Sequence, residues 1–413
     1  MNSRLIIAFV LFILLDIYAF QAFRGITRTI LPEWRKALFA GYWIVSGLGY
    51  LVALGMMVNL ITEKQHFLTI YGRTFLMILF LSKLLSLPIL LIDDIRRGVL
   101  AVINYFMVEK NFDVSRSRFL SSVGVAMGAA PFVLLTYGAL RNPYRYRVRR
   151  SKVFIDGLHP DLEGYKIVQI SDIHSGSFVF KDPVMHGIDL INKEAGDLVV
   201  FTGDIVNYKA DEMDGLIDTF RQIRSPHKTV FSTLGNHDYG TYYRWDSKSD
   251  LDRNFEQIKG IHKRLGWDLM LNEHRILEHG GAKIGLIGVE NFSALPQFPK
   301  HGDLKHSVEG MPETDIRILL SHDPTHWDFE VNRYYNDIDL TLSGHTHGFQ
   351  FGIEIPGWVK WSPSQLVYKQ WAGLYQKGRQ YLYVNRGFGF LGYAGRVGIL
   401  PEITTLILTG KRS

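Results

Sequence analysis

Two histidines one residue apart, His345 and His347, lie in the segment DIDLTLSGHTHGFQ, which ends at Gln350. They follow a short predicted strand over residues 339–342. On extended backbone, residues i and i+2 point to the same side. The pair can therefore act as metal ligands, as an acid–base pair, or as two polar loop residues.

Similar polar groups follow four other predicted strands. They are Asp172 with His174, Asp204 after Gly203, Asn236 with His237 and Asp238, and His322. Ligand sites in α/β sheets form at the carboxyl ends of strands, so we expect these groups to converge with His345 and His347 in one crevice. A single histidine after a strand is commonly just hydrogen-bonded near the surface, but five such groups at five strand ends indicate a shared site.

The ligand types indicate which metals the site can bind. The chain has no cysteine, which excludes thiolate ligands and disulfides. Carboxylate, imidazole and amide groups suit divalent Mn, Fe, Co or Zn. Seven candidate ligands are too many for one ion and suit two, so we expect His345 and His347 to serve two neighbouring metals.

Alternating strands and helices position these groups from about Ser151 onward. Strands are predicted over 166–171, 197–202, 228–234, 282–289, 315–320 and 338–342, and helices over 183–195 and 212–224. The tail, from 380–384 to 403–408, has only strand patterns. This rhythm predicts an α/β domain in which helices pack on a sheet.

The first third of the 413 residues has a different composition. Four apolar runs cover 5–23, 37–60, 74–92 and 119–138. Each is close to the roughly 20 residues that a helix needs to cross a bilayer. The first run lacks a small-residue cleavage site and is interpreted as an uncleaved helix. Residues 1–140 are therefore predicted to form an all-α transmembrane bundle with four helices.

Two ionisable residues, Asp16 and Lys83, lie inside these runs. Such residues can mark a transport path. Two isolated charges without a repeated pattern favour a structural or interfacial role instead.

Basic residues follow the fourth run closely. They are Arg141, Arg145, Arg147, Arg149, Arg150 and Lys152. We interpret 141–152 as a basic juxtamembrane linker and 153–413 as a second domain, which carries the polar groups described above. Positive clusters beside a helix end resist translocation, which predicts that this domain is cytoplasmic, and the same cluster can contact anionic headgroups.

The polar blocks, taken in order, resemble the signature of the calcineurin-like metallophosphoesterase superfamily. D-x-H, G-D, G-N-H-D, a lone H and G-H-x-H stand at 172–174, 203–204, 235–238, 322 and 344–347. The resemblance covers the chain from about residue 151 to its end. The N-terminal helices and a tail containing Asn385, Arg396 and the triplet 401–403 are similar to a membrane-anchored branch. The resemblance implies a four-layer αββα sandwich.

The resemblance also implies a role for each residue. The first metal would be held by Asp172, His174 and His347. The second would be held by Asn236, His322 and His345. Asp204 would bridge the two ions. His237 would face the substrate as a general acid, with Asp238 orienting its ring.

A membrane-bound phosphoesterase with two divalent metal ions is the leading functional hypothesis. The branch resembles hydrolases that cleave UDP-2,3-diacylglucosamine in lipid A synthesis, which implies a phosphorylated, lipid-linked substrate and contact with membrane lipids. One alternative is a phosphodiesterase or phosphatase for soluble nucleotides or phosphoproteins. Another is a receptor or transporter with a ligand-binding esterase-like domain, although the complete motif set favours an enzyme. We expect no nucleic acid partner.

Two further segments allow more than one interpretation. Residues 387–392 spell G-x-G-x-x-G, but no helix pattern follows, so we interpret them as a loop bordering the site rather than a dinucleotide fingerprint. The aromatic segment with Trp358, Trp361, Tyr368 and Trp371 can rest at a membrane interface or pack against the sheet.

Overall fold

The computed structural model describes residues 3–63, 65–107, 112–113, 115–355 and 357–410. It divides the chain into two compact units. The helical unit comprises residues 1–140 and 392–394, and the α/β unit comprises residues 141–391 and 395–413.

Four long helices form the helical unit. They are α1 (Ser3–Ile26), α2 (Pro32–Met57), α3 (His66–Phe106) and α4 (Arg118–Arg141). All four are long and apolar enough to cross a membrane, so the four predicted spans are confirmed. The third is much longer than the predicted run over 74–92, because its flanking polar residues remain helical on both sides.

Two six-stranded sheets form the centre of the α/β unit. The first has the order β1-β14-β2-β3-β4-β5 and the second β12-β13-β9-β8-β7-β6. The strands of the first are β1 (Arg147–Phe154), β2 (Lys166–Ile170), β3 (Leu198–Thr202), β4 (Phe231–Thr233), β5 (Asp268–Leu269) and β14 (Glu402–Thr409). Those of the second are β6 (Glu273–His279), β7 (Ala282–Gly288), β8 (Ile316–Leu320), β9 (Leu340–Ser343), β12 (Gly373–Lys377) and β13 (Gln380–Val384). A separate hairpin pairs β10 (Ile353–Ile355) with β11 (Val359–Trp361).

The hydrophobic core lies between the two sheets. Val200 of the first sheet and Ile318 of the second belong to one buried cluster. Helices α5 (Lys181–Glu194), α6 (Ile217–Phe220) and α7 (Lys248–Leu265) accompany the first sheet, and α8 (Leu304–Val308) contacts β6 and β7 of the second. The result is the predicted four-layer αββα arrangement. Because β2, β3 and β4 are parallel, as are β8 and β9, the carboxyl ends within each set share one sheet edge.

Two predictions about local structure are wrong. The expected linker over 141–152 ends early, because Arg147–Phe154 is a strand paired in parallel with β14 along its whole length. The expected helix over 212–224 is a 3-10 turn, Ala210–Met213, followed by the short α6. The Glu212 carboxylate accepts hydrogen bonds from backbone N–H groups of the preceding loop, which fixes a turn there instead of a continuous helix.

Candidate metal centre

The strand ends bring the predicted ligands into two groups. Asp172, His174 and His347 each offer a ligand atom within 4.8 Å of the others. Asp204, His322 and His345 form a second group by the same measure. Five of the six residues are buried and His345 is half-buried. The grouping matches the two predicted metal positions.

Asp204 lies between the two groups. Its Oδ2 atom is 3.6 Å from His174 Nε2 and 3.1 Å from His322 Nε2. One carboxylate therefore reaches a histidine of each group. This position is compatible with the predicted bridging role, because a carboxylate has two oxygens to share.

Asn236 contributes an amide to the second group. Its Oδ1 atom lies 2.7 Å from His345 Nδ1, while its Nδ2 donates to the Tyr242 hydroxyl at 3.0 Å. The hydrogen bond to Tyr242 orients the amide so that its oxygen faces the histidine. This is the orientation that the predicted ligand role requires.

The backbone at the site is strained. Positive φ values are found at Asp172 (51°), His174 (48°), Asp204 (62°), His345 (72°) and His347 (50°). Such conformations are uncommon for residues other than glycine and cost roughly 1–3 kcal/mol each. Their concentration at the candidate ligands is typical of a functional site, where the surrounding fold holds side chains in positions that extended backbone does not provide.

Two glycines allow the backbone to approach the ligands closely. A Cβ atom at Gly344 would lie 2.2 Å from Asp172 Oδ2. A Cβ atom at Gly387, where φ is +83°, would lie 2.8 Å from His347 Nδ1. The loop that begins at Gly387 therefore borders the site, as expected, and the described residues after it contain no helix.

Backbone carbonyls fix the tautomers of two histidines. The Nδ1 atom of His322 lies 2.6 Å from the Thr202 carbonyl oxygen, and that of His237 lies 2.7 Å from the Asn207 carbonyl oxygen. A carbonyl only accepts, so each Nδ1 carries the hydrogen. Nε2 is then the ring nitrogen left to face a metal or, for half-buried His237, a substrate.

Both buried ring nitrogens of His174 have no hydrogen-bond partner among the described residues. The Nε2 atoms of His322 and His347 face only a carboxylate oxygen, Asp204 Oδ2 at 3.1 Å and Asp172 Oδ1 at 3.2 Å, in poor hydrogen-bond geometry. Buried polar atoms are nearly always paired, so these nitrogens point to a missing partner. Their convergence with carboxylate and amide oxygens, without sulfur, fits divalent Mn, Fe, Zn or Co. The residues present therefore fit the implied metal ions.

The charge balance of the site favours cations. Burial by itself would raise the pKa of Asp204, but His322 and His237 lower it well below its usual value. Burial lowers the pKa of His174 and of His345, which keeps both rings neutral. Burial would also lower the pKa of His322, but the Asp204 carboxylate outweighs it and raises this pKa to about 10. Asp204 thus attracts a proton to His322, and a bound divalent cation would displace that proton.

Asp238 has a different role from the one predicted. Its carboxylate accepts hydrogen bonds from the backbone N–H groups of Asp204 (2.9 Å), Ile205 (2.9 Å) and Gly235 (2.8 Å). The prediction that Asp238 orients the His237 ring is wrong, since a backbone carbonyl accepts from that ring. The adjacent ends of β3 and β4 direct their N–H groups at one carboxylate, which holds both ligand-bearing loops. Burial and nearby Asp204 raise the pKa of Asp238 to about 7.

Three further side chains reach the site. Asp323 Oδ2 lies 3.5 Å and the Tyr368 hydroxyl 2.8 Å from His345 Nε2. Buried Arg396 places Nη2 3.3 Å from His347 Nδ1. Asp323 directly follows a candidate ligand and Arg396 belongs to the tail resemblance, so both had a signal in the sequence. The contact of Tyr368 had none.

Comparisons with known proteins agree with this geometry. A family model described as "Probable Calcineurin-like phosphoesterase, transmembrane domain" matches residues 3–143, and one described as "Calcineurin-like phosphoesterase" matches residues 165–349. Together they cover the four long helices and all the candidate ligands.

Individual proteins are similar over most of the chain. "Uncharacterized metallophosphoesterase YkuE" of Bacillus subtilis (strain 168) is 27% identical over 71% of this chain and 98% of its own length. "Transmembrane protein with metallophosphoesterase domain" of Bos taurus is 30% identical over 67% of this chain and 60% of its own. The structure of a 5'-nucleotidase precursor from Thermus thermophilus shares 14% identity, with a TM-score of 0.36, over 59% of this chain and 54% of that one.

Proposed function

We propose that this chain, which belongs to the calcineurin-like metallophosphoesterases with an N-terminal transmembrane domain, hydrolyses a phosphoester or pyrophosphate bond in a lipid-linked substrate. The chain is a multi-pass membrane protein. UDP-2,3-diacylglucosamine is the first compound to test, because it joins a pyrophosphate bond to acyl chains. The cytoplasmic location of the α/β unit stays a prediction.

Exposed apolar side chains next to the metal centre carry the proposal of a lipid substrate. Phe349, two residues after His347, is 66% exposed. Further exposed members of this apolar rim are Ile353, Ile355, Trp358, Val359, Trp361, Leu366 and Val367. Soluble proteins rarely expose apolar patches of this kind unless they bind another surface. The rim therefore supports a substrate with acyl chains or a substrate presented in a lipid surface.

In the aromatic segment one tryptophan is buried and another is exposed, so each of the two interpretations of its sequence fits one of them. Trp371 is buried, as expected for packing against the sheet. Trp358, at the tip of the β10–β11 hairpin, is 82% exposed. An exposed tryptophan flanked by aliphatic residues is typical of side chains that contact a membrane interface.

The residues at the site can supply the chemistry of phosphoester hydrolysis. Bound divalent ions would activate a water molecule and neutralise charge on the phosphoryl oxygens. Asp172, His174 and His347 would hold one ion, Asn236, His322 and His345 the other, and Asp204 both. His237, held by Asn207 through Nδ1, can donate a proton from Nε2 to the leaving oxygen. Asp238 positions the loops that carry Asp204 and His237.

The first test compares two substrates. Protein purified in detergent with Mn would be given UDP-2,3-diacylglucosamine and, separately, bis-p-nitrophenyl phosphate, with Asp204→Ala as the inactive control. We expect cleavage of both compounds and a strong preference for the lipid. Cleavage of the small diester alone would contradict the lipid substrate and favour a soluble nucleotide or phosphoprotein.

A second test separates lipid recognition from the chemistry. Trp358→Ala combined with Trp361→Ala should reduce activity on the micellar lipid by about tenfold or more, because a buried large apolar side chain is worth roughly 1.5–3 kcal/mol. Activity on the small diester should not change. Tyr334→Ala, which removes another exposed aromatic of the same unit, is the matched control. An equal loss on both substrates would contradict a role of the rim in lipid binding.

A further inference from the structure

We propose that the helical unit contains a binding site for an anionic phospholipid. Its phosphate would bind a group of five arginines, and one acyl chain would occupy an adjacent apolar cavity. We name the first the arginine cleft, lined by Arg24, Arg28, Arg35, Arg97 and Arg116. We name the second the acyl slot, lined by Ala22, Phe23, Gly41, Gly128 and neighbouring residues. This site shares no residue with the metal centre.

The arginine cleft is a cavity of about 650 Å³ at one end of the bundle. Its arginines come from the end of α1, the start of α2, the polar extension of α3 and the residues before α4. No acidic side chain is among the described residues that line it. Arginines that serve only as topology signals have no need to line one cavity, so this convergence indicates an anion.

Positive charge remains after the ion pairs in the cleft are counted. Arg97 and Arg116 both bind the Asp94 carboxylate, at 2.9 and 2.7 Å. Arg24, Arg28 and Arg35 form no ion pair within 4 Å in the part of the chain that the structure describes, although Asp113 is near enough to Arg28 for their charges to interact. Three cations in one cavity therefore remain available for an anion.

Arg116 provides a second sign of a missing acceptor. Its Nη1 atom is buried without a hydrogen-bond partner among the described residues, and Asp93 Oδ2, which also lacks one, lies 3.6 Å away, beyond hydrogen-bond distance. A buried guanidinium N–H left unpaired is unfavourable. Guanidinium groups bind phosphate with two parallel hydrogen bonds, so a phosphate group would satisfy this donor and pair with the remaining charges.

The acyl slot is an apolar cavity of about 430 Å³ lined by all four helices. Its volume is within the roughly 300–1,000 Å³ of small-molecule sites. Gly41 lines the slot and is exposed, so the slot opens on the side of the bundle where lipid chains lie in a membrane. The one cation lining it, Lys83, is paired with Asp16 at 2.6 Å, so it is not available for a headgroup.

The two cavities are lined by consecutive residues of the same two helices, so they lie at the same level of the bundle. On α1, Phe23 lines the slot and Arg24 lines the cleft. On α2, Leu38 lines the slot and Phe39 lines the cleft. An apolar cavity next to an arginine-lined one matches a molecule with an acyl chain and an anionic headgroup. This pairing favours a phospholipid over a water-soluble phosphate compound, which would leave the slot unused.

Lipid binding to the full chain in detergent tests the cleft. Native mass spectrometry would compare phosphatidylglycerol with phosphatidylcholine, and inorganic phosphate would be added as a competitor. We expect phosphatidylglycerol to bind at least about tenfold more tightly than phosphatidylcholine. Arg28→Gln combined with Arg35→Gln should weaken its binding by about tenfold or more, as expected for two arginines near an anionic headgroup. Arg73→Gln, which removes an arginine at the other end of α3, is the matched control.

Three results would overturn the proposal. They are equal binding of the two lipids, unchanged phosphatidylglycerol binding by the double variant, and full displacement of the lipid by equimolar inorganic phosphate. Hydrolysis of bis-p-nitrophenyl phosphate should be the same in wild type and both variants. Loss of lipid binding is therefore distinguishable from failure of the metal centre.

A pair of glycine variants tests the slot. Added Cβ atoms at Gly41 and Gly47, both on α2, would have no neighbour within 4 Å, so leucine is sterically possible at each. Only Gly41 lines the slot. Gly41→Leu should weaken phosphatidylglycerol binding by about tenfold, since it removes space that an acyl chain would fill. Gly47→Leu should bind like wild type, and equal binding by the two variants would overturn the slot.

Discussion

Asp16 in the helical unit and Asp204 in the α/β unit are both carboxylates shielded from solvent, but their surroundings differ. Asp16 accepts hydrogen bonds from Tyr42, Ser46 and Tyr50 and pairs with Lys83, at 2.6–2.9 Å. Both of its oxygens have donors, and its charge is matched by one cation. This network is complete without a ligand, which supports the predicted structural role of the two intramembrane charges.

The cluster around Asp204, in contrast, leaves buried polar atoms without hydrogen-bond partners in the part of the chain that the structure describes. Both buried ring nitrogens of His174 lack a hydrogen-bond partner among the described residues. The backbone that holds several of these side chains is strained, whereas a buried ion pair on regular helices needs no such strain. The difference separates a closed polar network, which is complete without a ligand, from an open one, whose residues fit bound metal ions.

The prediction with the largest expected effect concerns the open cluster around Asp204. His237→Ala should reduce turnover of bis-p-nitrophenyl phosphate by roughly 10²–10⁴-fold, because it removes a general acid but no metal ligand. Metal content should remain at two ions per chain, as measured by inductively coupled plasma mass spectrometry. His227→Ala, which alters a histidine outside the site, should retain wild-type turnover. Loss of both metals in His237→Ala would show that this residue is a ligand.

The prediction with the next largest effect concerns the closed cluster around Asp16. Lys83→Met leaves the Asp16 carboxylate buried without its cation and should lower the free energy of unfolding in detergent by roughly 3–5 kcal/mol. Replacing both partners, with Asp16→Asn and Lys83→Met, should restore most of that loss. Lys36→Met, at an exposed lysine of α2, should have little effect. If the double variant were as unstable as Lys83→Met, the network would not be a self-contained ion pair.

A buried histidine without a neighbouring carboxylate provides a third case to compare with the Asp16 and Asp204 clusters. Its expected effect on stability is smaller. His262 on α7 is buried, with Nδ1 2.9 Å from Ser232 Oγ and Nε2 unpaired among the described residues. No carboxylate accompanies it there, so we expect no metal. Burial lowers the pKa of His262 to about 3. The unfolded chain therefore binds a proton near pH 6.5 that the folded chain does not.

The pH dependence of stability follows from that difference. Stability is fully present above pH 6.5 and should fall by about 1.4 kcal/mol per unit as the pH decreases toward 3. His262→Gln should remove this part of the slope between pH 5 and 7 without changing metal content. His186→Gln, at a histidine that is not fully buried, should leave the slope as it is. An unchanged slope in His262→Gln would mean that His262 is protonated in the folded protein.

The features that follow from local sequence were predictable. Candidate metal ligands at the carboxyl ends of strands are encoded by short blocks around Asp172, Asp204 and His345, and apolar runs are sufficient to define four spans. The features that depend on tertiary contacts were not. The pairing of Arg147–Phe154 with β14 joins residues about 250 positions apart. The contact of His237 with Asn207 depends on how two loops meet.

The roles of Asp238 and Glu212 were missed for the same physical reason. Each carboxylate accepts backbone N–H groups of a neighbouring loop, and a sequence pattern does not show where unpaired N–H groups converge. The strained φ values at the ligands also have no sequence signal, since aspartate and histidine adopt them only when the fold imposes them.

The most direct test of the two-metal site is the metal content of the purified chain. Wild-type protein incubated with Mn and then freed of unbound ions should hold two ions per chain. Asp204→Ala should hold fewer than one, because Asp204 lies between the two ligand groups. One ion or none in wild type, or two ions in Asp204→Ala, would contradict a dinuclear centre bridged by this carboxylate.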